Sequence, residues 1–174
     1  MASPEGPRSL RPPSPFGYPQ RVTWTSDDRY FMQLALEEAE AAEKAGEVPI
    51  GAILVVEGRL AGRGRNSPVG LHDPTAHAEV LALRSAGQWL QNYRLAGATL
   101  YVTLEPCLMC FGALTHARVD RVVFGAPDPK VGISQWGDLL AQATLNHRLD
   151  LQGGLLADES RALLQGFFQG RRKR

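Results

Sequence analysis

One histidine and two cysteines in this chain can bind a single metal ion only if two distant segments of the sequence meet. His77 lies in the first segment, and Cys107 and Cys110 lie in the second. A zinc ion held by three protein side chains keeps its fourth position for water, which is the arrangement of a catalytic site. Glu79 stands two residues after the histidine and leaves a carboxylate free to act on that water. The spacing therefore predicts a fold in which the two segments converge on a catalytic zinc ion.

Both segments are expected to lie at the beginning of a helix. Pro74 disfavours helical backbone at the residue before it. His77 and Glu79 are therefore predicted to occupy the first turn, because residues two apart in mid-helix do not share a face. Pro106 suits the first position of a second helix, where its missing N–H costs nothing. The two cysteines then lie three apart on one face, where the unpaired N–H groups and the dipole of a helix N-terminus stabilise thiolates.

The ligand types alone leave two other interpretations open. A structural zinc site needs a fourth protein ligand, and a redox-active Cys-x-x-Cys pair needs no metal. Glu79 favours the catalytic interpretation. Two thiolates reduce the residual charge of the ion, so its water is acidified less than on a three-histidine zinc, and a nearby carboxylate can accept the proton. The zinc-bound hydroxide formed in this way would attack an electron-poor carbon. The carboxylate would then return protons to a ring nitrogen and to a departing amine. This reaction is a hydrolytic deamination. The candidates for a fourth ligand are His72, Asp73, His116 and His147.

The composition excludes several classes of protein. At 174 residues, with 44% hydrophobic and 21% charged residues, the chain resembles an ordinary soluble protein with one hydrophobic core. Its net charge of +1 argues against a protein that is basic throughout, although 171–174 is a basic run that composition alone assigns to a solvated terminus. Two cysteines are too few for a disulfide scaffold. No apolar run approaches a membrane-spanning length, and the N-terminus lacks a signal-peptide core. These features predict a cytoplasmic protein.

The hydrophobic pattern alternates between helices and strands. Residues 1–22 are rich in proline, glycine and serine, which predicts a flexible extension, and residues 23–174 are predicted to form one domain. The order of a helix, two strands, a helix, a strand, a helix, a strand and further helices predicts a three-layer α/β/α fold. This fold has one mixed sheet of about five strands with helices on both faces. The predicted helices cover 26–45, 75–86, 106–117, 138–143 and 158–169, and the strands outside the hairpin cover 99–104 and 121–125.

A hairpin is predicted between the first two helices. The continuous apolar run at 48–56 is typical of a buried strand, and Glu57-Gly58 is a two-residue turn signal before a return strand at 59–65. Gly62 and Gly64 would weaken that return strand unless another element packs closely against them. In the helix that follows, the residues predicted to face the core are Val80, Leu81 and Leu83.

The chain resembles the bacterial tRNA-specific adenosine deaminases, a family of the cytidine deaminase-like superfamily. The spacing His-x-Glu followed by Pro-Cys-x-x-Cys is the signature of zinc nucleobase deaminases. The likeness runs from about residue 29 to residue 172 and is dense well beyond the metal motif. The segments that carry it are 47–52, Asn66, 72–79, 91–95, 101–110, 121–126, 146–148 and 154–159.

The resemblance implies a cytidine deaminase-like fold, a homodimer, and conversion of adenosine to inosine at the wobble position of a tRNA anticodon, that of an arginine tRNA. By the family pattern one Zn²⁺ per chain is held by His77, Cys107 and Cys110. Zinc-bound hydroxide attacks C6 of a flipped adenine, Glu79 shuttles protons, and ammonia leaves. No organic cofactor and no membrane are expected. The residues implied to contact the anticodon stem-loop are Asn66, Asp128, Lys130, Phe168, Arg171 and Arg172.

Some features depart from the family pattern or favour another function. Pro127 replaces a basic residue usual in the family's loop, and 133–138 differs from the family's small-residue stretch, which leaves the anticodon preference open. Residue type alone would let Asn66 simply end the hairpin as a turn residue. An alternative function is deamination of a free nucleobase or nucleoside (cytidine, cytosine or guanine), which needs no C-terminal segment 167–174. A non-catalytic zinc or RNA-binding subunit is a third hypothesis, and it has no need of Glu79.

Overall fold

The computed structural model describes residues 23–172 of the chain, so the predicted extension at 1–22 lies outside the described residues. The first element is helix α1 (Ser26–Lys44). Thr25 caps it, because its hydroxyl accepts a hydrogen bond from the backbone N–H of Asp28 while the Asp28 carboxylate accepts one from the backbone N–H of Thr25, both at 3.0 Å. Gly46, with a φ of +80°, follows the helix end as predicted.

The predicted hairpin is confirmed. Strands β1 (Gly51–Val56) and β2 (Arg59–Arg65) pair antiparallel. Glu57 and Gly58 join them with φ angles of 51° and 72°, the left-handed conformations that a two-residue hairpin turn of the I′ type requires. The first strand begins three residues later than predicted, because the backbone N–H of Ile50 bonds locally to the carbonyl of Val48 at 2.8 Å.

Five strands form one mixed sheet in the order β2-β1-β3-β4-β5, in which β3 is Ala98–Leu104, β4 is Arg121–Ala126 and β5 is Asp150–Gly153. β1 is antiparallel to both of its neighbours, whereas β3, β4 and β5 run parallel to one another. The sequence pattern misses α2 and β5, which have four residues each and are too short to show a period. The elements after the hairpin are α2 (Pro68–Leu71), α3 (Ala78–Leu90), β3 (Ala98–Leu104), α4 (Leu108–His116), β4 (Arg121–Ala126), a 3₁₀ turn (Ile133–Trp136), α5 (Gly137–Gln142), β5 (Asp150–Gly153) and α6 (Ala157–Arg172).

Helices cover both faces of the sheet, which confirms the predicted fold class. On one face α1 packs around a cluster that includes Phe31, Met32 and Ile53, and α6 also packs on this side of the sheet. On the other face the helices α3 and α4 pack around a larger cluster that includes Leu100 and Leu114. The second face is the one that carries the candidate metal ligands, because His77 and Cys107 precede these two helices directly.

The packing of α3 corrects the predicted core of that helix. Val80, Leu81 and Leu83 are only half-buried. The helix lies so close to β2 that a side chain on Gly64 would overlap the carbonyl oxygen of Ala78, and one on Gly62 would overlap that of Ala82. Only small residues fit where β2 and α3 meet. Gly62 and Gly64, which would weaken an isolated strand, therefore permit α3 to pack against β2. The buried residues of α3 are Ala78, Glu79, Ala82 and Ala86.

A buried ion pair ties α1 to the sheet. The carboxylate of Asp28 accepts hydrogen bonds from the Arg121 guanidinium at 2.7 Å and from the Tyr101 hydroxyl at 2.9 Å. Burial alone would raise the pKa of Asp28, but the hydrogen bonds from Arg121, from Thr25 and from Tyr101 lower that pKa to about 2. The same guanidinium donates two hydrogen bonds to the side-chain oxygen of Gln152 on β5. The carboxylate is therefore stabilised in its charged form.

Replacing Asp28 with asparagine is expected to destabilise the fold. Lowering the pKa from 3.8 to about 2 corresponds to about 2 kcal/mol in the free energy of unfolding. Because the folded-state pKa lies below the unfolded one, this stability is complete above about pH 4 and is lost as the pH falls towards about 2. Urea unfolding at several pH values measures both effects. Asp27→Asn is the matched control, since Asp27 is the exposed neighbour, and equal midpoints for the two variants at neutral pH would contradict the expectation.

Candidate active site

Helix α3 begins at Ala78, three residues after the predicted start at residue 75, and it has His77 at the N-cap and Glu79 in the first turn. The backbone of His77 is extended, with φ −73° and ψ 153°, so this residue still belongs to the preceding loop. The Asp73 carboxylate accepts hydrogen bonds from the backbone N–H of Thr75 at 2.8 Å and from its hydroxyl at 2.7 Å, which shapes the turn before the helix. The prediction that the motif occupies a helix start is confirmed.

Helix α4 begins at Leu108, two residues later than the predicted start at Pro106. Cys107 is its N-cap, with φ −76° and ψ 171°, and Cys110 lies within its first turn. Pro106, predicted at the first helical position, instead precedes the N-cap. The reason is that Cys107 pairs with Gly132 in an isolated β-bridge, which keeps its backbone extended. Both sulfurs still lie at the N-terminal end of the helix.

The three ligand atoms converge at a spacing that fits zinc. They all lie within 4.8 Å of one another, and Nδ1 of His77 is 3.7 Å from the Cys107 sulfur and 3.5 Å from the Cys110 sulfur. Bonds of about 2.0 Å to nitrogen and about 2.3 Å to sulfur, arranged tetrahedrally, separate the two atoms by about 3.6 Å. Within residues 23–172 no further ligand joins this group, so none of the four candidates His72, Asp73, His116 and His147 supplies a fourth ligand there.

The protonation of these side chains matches a cation site. The hydrogen bond from Cys110 and, with a smaller effect, that from His77 lower the pKa of Cys107 to about 4. The same contact with Cys107, together with burial, raises the pKa of Cys110. The two thiols thus compete for the ionised form. A divalent cation removes this competition, because both sulfurs bind metal as thiolates.

The carboxyl group of Glu79 lies beside the ligands and is shielded from water, with only 4% of the residue exposed. Burial raises the pKa of this carboxyl, while hydrogen bonds with its own backbone amide and with Cys110 act in the opposite direction. A buried carboxyl group with a raised pKa beside candidate metal ligands is a candidate for proton transfer.

Asn66 connects the end of the hairpin to the start of α3. It is buried, and its side-chain oxygen accepts a hydrogen bond from the backbone N–H of Ala78 at 3.2 Å. Ala78 stands between His77 and Glu79 in the sequence. No partner for the Asn66 amide nitrogen is seen within the described part of the chain, so that group remains available to a ligand.

The predicted contacts Asp128 and Lys130 lie in a loop that touches the start of α4, where the two candidate cysteine ligands lie. The Asp128 carboxylate accepts hydrogen bonds from the backbone N–H groups of Lys130 at 2.9 Å and Val131 at 3.2 Å, and therefore shapes the turn. The Lys130 residue is exposed. The loop reaches the metal site through the bridge between Gly132 and Cys107.

The predicted contacts on α6 are not equivalent. Phe168 is 47% exposed, and Arg172 is exposed. Arg171 instead donates a hydrogen bond to the carbonyl of Gly46 at 2.6 Å, and its guanidinium lies 4.5 Å from the centre of the Phe167 ring. Arg171 therefore fastens the end of α6 to the turn after α1. Both arginines are exposed, and the rest of the basic run, 173–174, lies outside the described residues.

The sequence pattern does not identify two buried carboxylates near the site. The Glu47 carboxylate accepts a hydrogen bond from the backbone N–H of Gly70 at 2.7 Å, and Glu105 accepts two from the loop after β4. Both residues are at most 4% exposed. The sequence feature that could identify them is a charged residue next to a buried strand. An ionised side chain is buried there only where hydrogen-bond partners satisfy it.

Comparison with known proteins agrees with this geometry. The family model for the cytidine and deoxycytidylate deaminase zinc-binding region matches residues 25–126. The tRNA-specific adenosine deaminase of Haemophilus influenzae is 48% identical over 148 residues, which are 84% of this chain and 86% of that protein. The enzyme of the same name from Bacillus subtilis is 45% identical over 150 residues, 86% and 93% of the two chains. The chain belongs to the tRNA-specific adenosine deaminase family. The predicted resemblance is thereby confirmed, and with it the assignment to a family of enzymes.

Solved structures similar to this chain agree with the predicted cytidine deaminase-like fold. A structure from studies of A-to-I editing by tRNA deaminases at the wobble position of transfer RNA is 47% identical, with a TM-score of 0.74 over 78% of this chain and 99% of that one. The guanine deaminase from Nitrosomonas europaea is 27% identical, with a TM-score of 0.68 over 96% and 98%. Among residues 23–172, no helix is long and apolar enough to cross a membrane.

Loss of one ligand is expected to abolish metal binding. His77→Ala and Cys107→Ala should each reduce the zinc content from about one ion per chain to nearly none, because two protein ligands hold zinc weakly. Elemental analysis of the purified variants measures this. His116→Ala is the matched control, since His116 lies on α4 outside the ligand group and should leave the zinc content unchanged. Full occupancy in Cys107→Ala would exclude that sulfur as a ligand.

Proposed function

We propose that this protein hydrolyses adenosine to inosine at the first anticodon position of a tRNA, that of an arginine tRNA, with zinc as its only cofactor. The observation that carries the proposal is the Glu79 carboxyl, buried and hydrogen-bonded beside three convergent ligand atoms. The extent of identity to the tRNA-specific adenosine deaminases supports the choice of substrate. The proposed compartment is the cytoplasm, where reducing conditions keep both cysteines as thiolates.

In the proposed site, His77, Cys107 and Cys110 hold the zinc ion, and Glu79 moves the protons. The chemistry that zinc supplies when bound is a water acidified enough to attack C6 of the adenine ring. Glu79 would accept one proton from the attacking water as the C6–O bond forms, and would deliver it to N1 of the ring. It then transfers the second proton from the new C6 hydroxyl to the amine, so that the C6–N6 bond breaks and ammonia leaves. The carboxylate returns to its starting state, and the water oxygen remains in inosine.

Substrate contacts in this proposal come from three segments. The free amide nitrogen of Asn66 lies next to the start of α3 and would donate a hydrogen bond to the flipped nucleoside. Lys130, at the exposed tip of its loop, and Arg172, at the end of α6, would meet the phosphates of the anticodon loop. The exposed ring of Phe168 offers a stacking surface for an unpaired base. Asp128 and Arg171, whose side chains have partners within the chain, hold these segments in place as well as contacting RNA.

The homodimer implied by the resemblance is also proposed. Tyr93 is 72% exposed and Leu108 is 36% exposed, and they line one groove together with Phe111 and Leu140. Leu108 immediately follows the ligand Cys107. A second copy of the chain covering this apolar groove would remove these side chains from water close to the metal site.

A second candidate function is deamination of a free purine base. The structural similarity to the guanine deaminase from Nitrosomonas europaea favours it, since that similarity covers almost the whole of both chains. The candidate requires no RNA contacts at Lys130 or on α6. Zinc-loaded protein is therefore to be assayed on an anticodon stem-loop with adenosine in the first position, beside free adenosine, cytidine and guanine. Turnover of the free compounds alone would overturn the tRNA proposal.

Glu79→Gln is expected to abolish inosine formation while zinc stays bound. Glutamine has nearly the same size but cannot accept and return protons, and such proton transfer contributes on the order of 10²–10⁴-fold to a rate. The rate on the stem-loop and the zinc content are measured together. Glu37→Gln, an exposed carboxylate on α1, is the control. Inosine formation at the original rate in Glu79→Gln would refute the mechanism.

Arg172→Ala is expected to weaken RNA binding more at low salt than at high salt. A lost phosphate contact lowers the slope of log affinity against log salt by about one. Fluorescence anisotropy with the stem-loop over a salt series measures the slope. Arg171→Ala should show a similar change and also a lower melting temperature, because it loses the contact with Gly46. Arg161→Ala removes the same charge from the first half of α6 and serves as the control, so an equal change in all three variants would exclude a local phosphate contact.

A further inference from the structure

Glu105 is a buried carboxylate that the proposed chemistry does not use. It lies between the end of β3 and Pro106, two residues before the ligand Cys107. Only 3% of the residue is exposed, and no Lys or Arg within residues 23–172 forms an ion pair with it. A buried charge without a countercharge requires hydrogen-bond donors. The donors that it finds all belong to one loop.

The two oxygens of Glu105 hold the two ends of that loop. Oε2 accepts a hydrogen bond from the backbone N–H of Asp128 at 2.9 Å, and Oε1 accepts one from the backbone N–H of Ser134 at 2.8 Å. The backbone N–H of Glu105 itself donates to the carbonyl of Ala126 at 2.9 Å. One side chain therefore satisfies donors six residues apart and closes the intervening segment into a compact loop. Hydrogen bonds to a charged acceptor are stronger than those between neutral groups.

Further contacts join the same loop to the segment that begins α4. The backbone N–H of Ile133 donates to the carbonyl of Pro106 at 2.9 Å, and Gly132 pairs with Cys107. The side chain of Ile133 is fully buried in the core. A Cβ on Gly132 would lie 2.5 Å from the Glu105 carboxylate and 2.5 Å from the carbonyl of Asp128. Glycine is therefore the residue that allows the carboxylate to sit against the loop backbone.

The base of the loop is fixed while its tip is exposed to solvent. Pro129, Lys130 and Val131 are all exposed, and Val131 is an apolar residue 56% exposed. Lys130 forms no ion pair within the described residues. A loop held in one conformation loses less entropy when it binds a partner than a loop that must first become ordered. The tip is thus presented at a set position relative to Cys107.

We propose that Glu105 is a positioning residue that fixes the loop 127–136 against the start of α4. It thereby holds Lys130 at a fixed position relative to the metal site, where Lys130 can contact the tRNA substrate. The consequence for RNA rests on the proposed function, whereas the bracing of the loop by Glu105 does not. Glu105 touches neither the metal ligand atoms nor the proposed reacting atoms in this proposal. Its effect reaches the substrate only through the loop.

Amide hydrogen exchange on the zinc-loaded protein tests the bracing directly. Glu105→Gln replaces one acceptor oxygen with an NH₂ group, so at least one of the N–H groups of Asp128 and Ser134 loses its acceptor and should exchange at least tenfold faster. Glu47→Gln is the matched control, because Glu47 is another buried carboxylate that accepts a backbone hydrogen bond, here from Gly70. It should speed exchange near Gly70 and leave 127–136 unchanged. Unchanged exchange of 127–136 in Glu105→Gln would overturn the proposal.

Gly132→Ala tests the same brace from the loop side and serves if Glu105→Gln does not fold. The added methyl group displaces the carboxylate, so the two variants should share one phenotype. The expected phenotype is retained zinc, a KM for the stem-loop raised about tenfold and a nearly unchanged kcat, since the loss of one charge-assisted hydrogen bond corresponds to about that factor. Faster exchange with an unchanged KM would overturn the role in substrate positioning. Failure of the wild type to bind or deaminate the stem-loop would instead overturn the proposed function, and the exchange result would still decide the bracing.

Discussion

The contact between strand β2 and helix α3 determines where the reactive groups lie. Gly64 leaves no side chain between the strand and the carbonyl of Ala78, so the two backbones touch. Ala78 stands between His77 and Glu79, and its N–H is bound by Asn66 at the end of the same strand. A larger residue at position 64 would push the first turn of α3 away from the sheet. The histidine and the carboxyl would then move together relative to the sulfurs on α4, whose own position depends on β3.

Carboxylate side chains that bind backbone N–H groups hold the loops around this centre. Glu47 binds the backbone of the short helix that precedes the histidine motif, and Glu105 binds both ends of the loop that follows β4. Asp73 organises the turn just before His77. Each of these carboxylates is satisfied by backbone N–H groups that would otherwise lack partners in segments without regular structure. The helices thus supply the ligands, and the acidic residues fix the connecting segments that surround them.

The sequence predicts those features that depend on neighbouring residues. The helix start at His77 follows from Pro74, and the hairpin follows from Glu57-Gly58, because both are local rules of backbone conformation. The core of α3 could not be predicted in this way. Its alanine face is chosen by glycines on another strand, although its leucines show the stronger hydrophobic signal. Pro106 is predicted at the first position of α4 but lies two residues before it, because the bridge from Cys107 to Gly132 joins residues 25 apart that no local pattern relates.

In the proposed function, the reaction likewise follows from local motifs, whereas the substrate depends on segments that are distant in the sequence. The chain is similar in fold both to a structure from studies of tRNA deaminases and to a guanine deaminase, so the fold alone does not select the substrate. Selection of an RNA must then come from segments beyond the ligand atoms and Glu79. Here the loop 127–136 is anchored by Glu105, and the end of α6 is anchored by Arg171 on Gly46 and Phe167. Because both anchors form within the free chain, the surface offered to an anticodon loop is already ordered, and binding would require little further loss of conformational entropy.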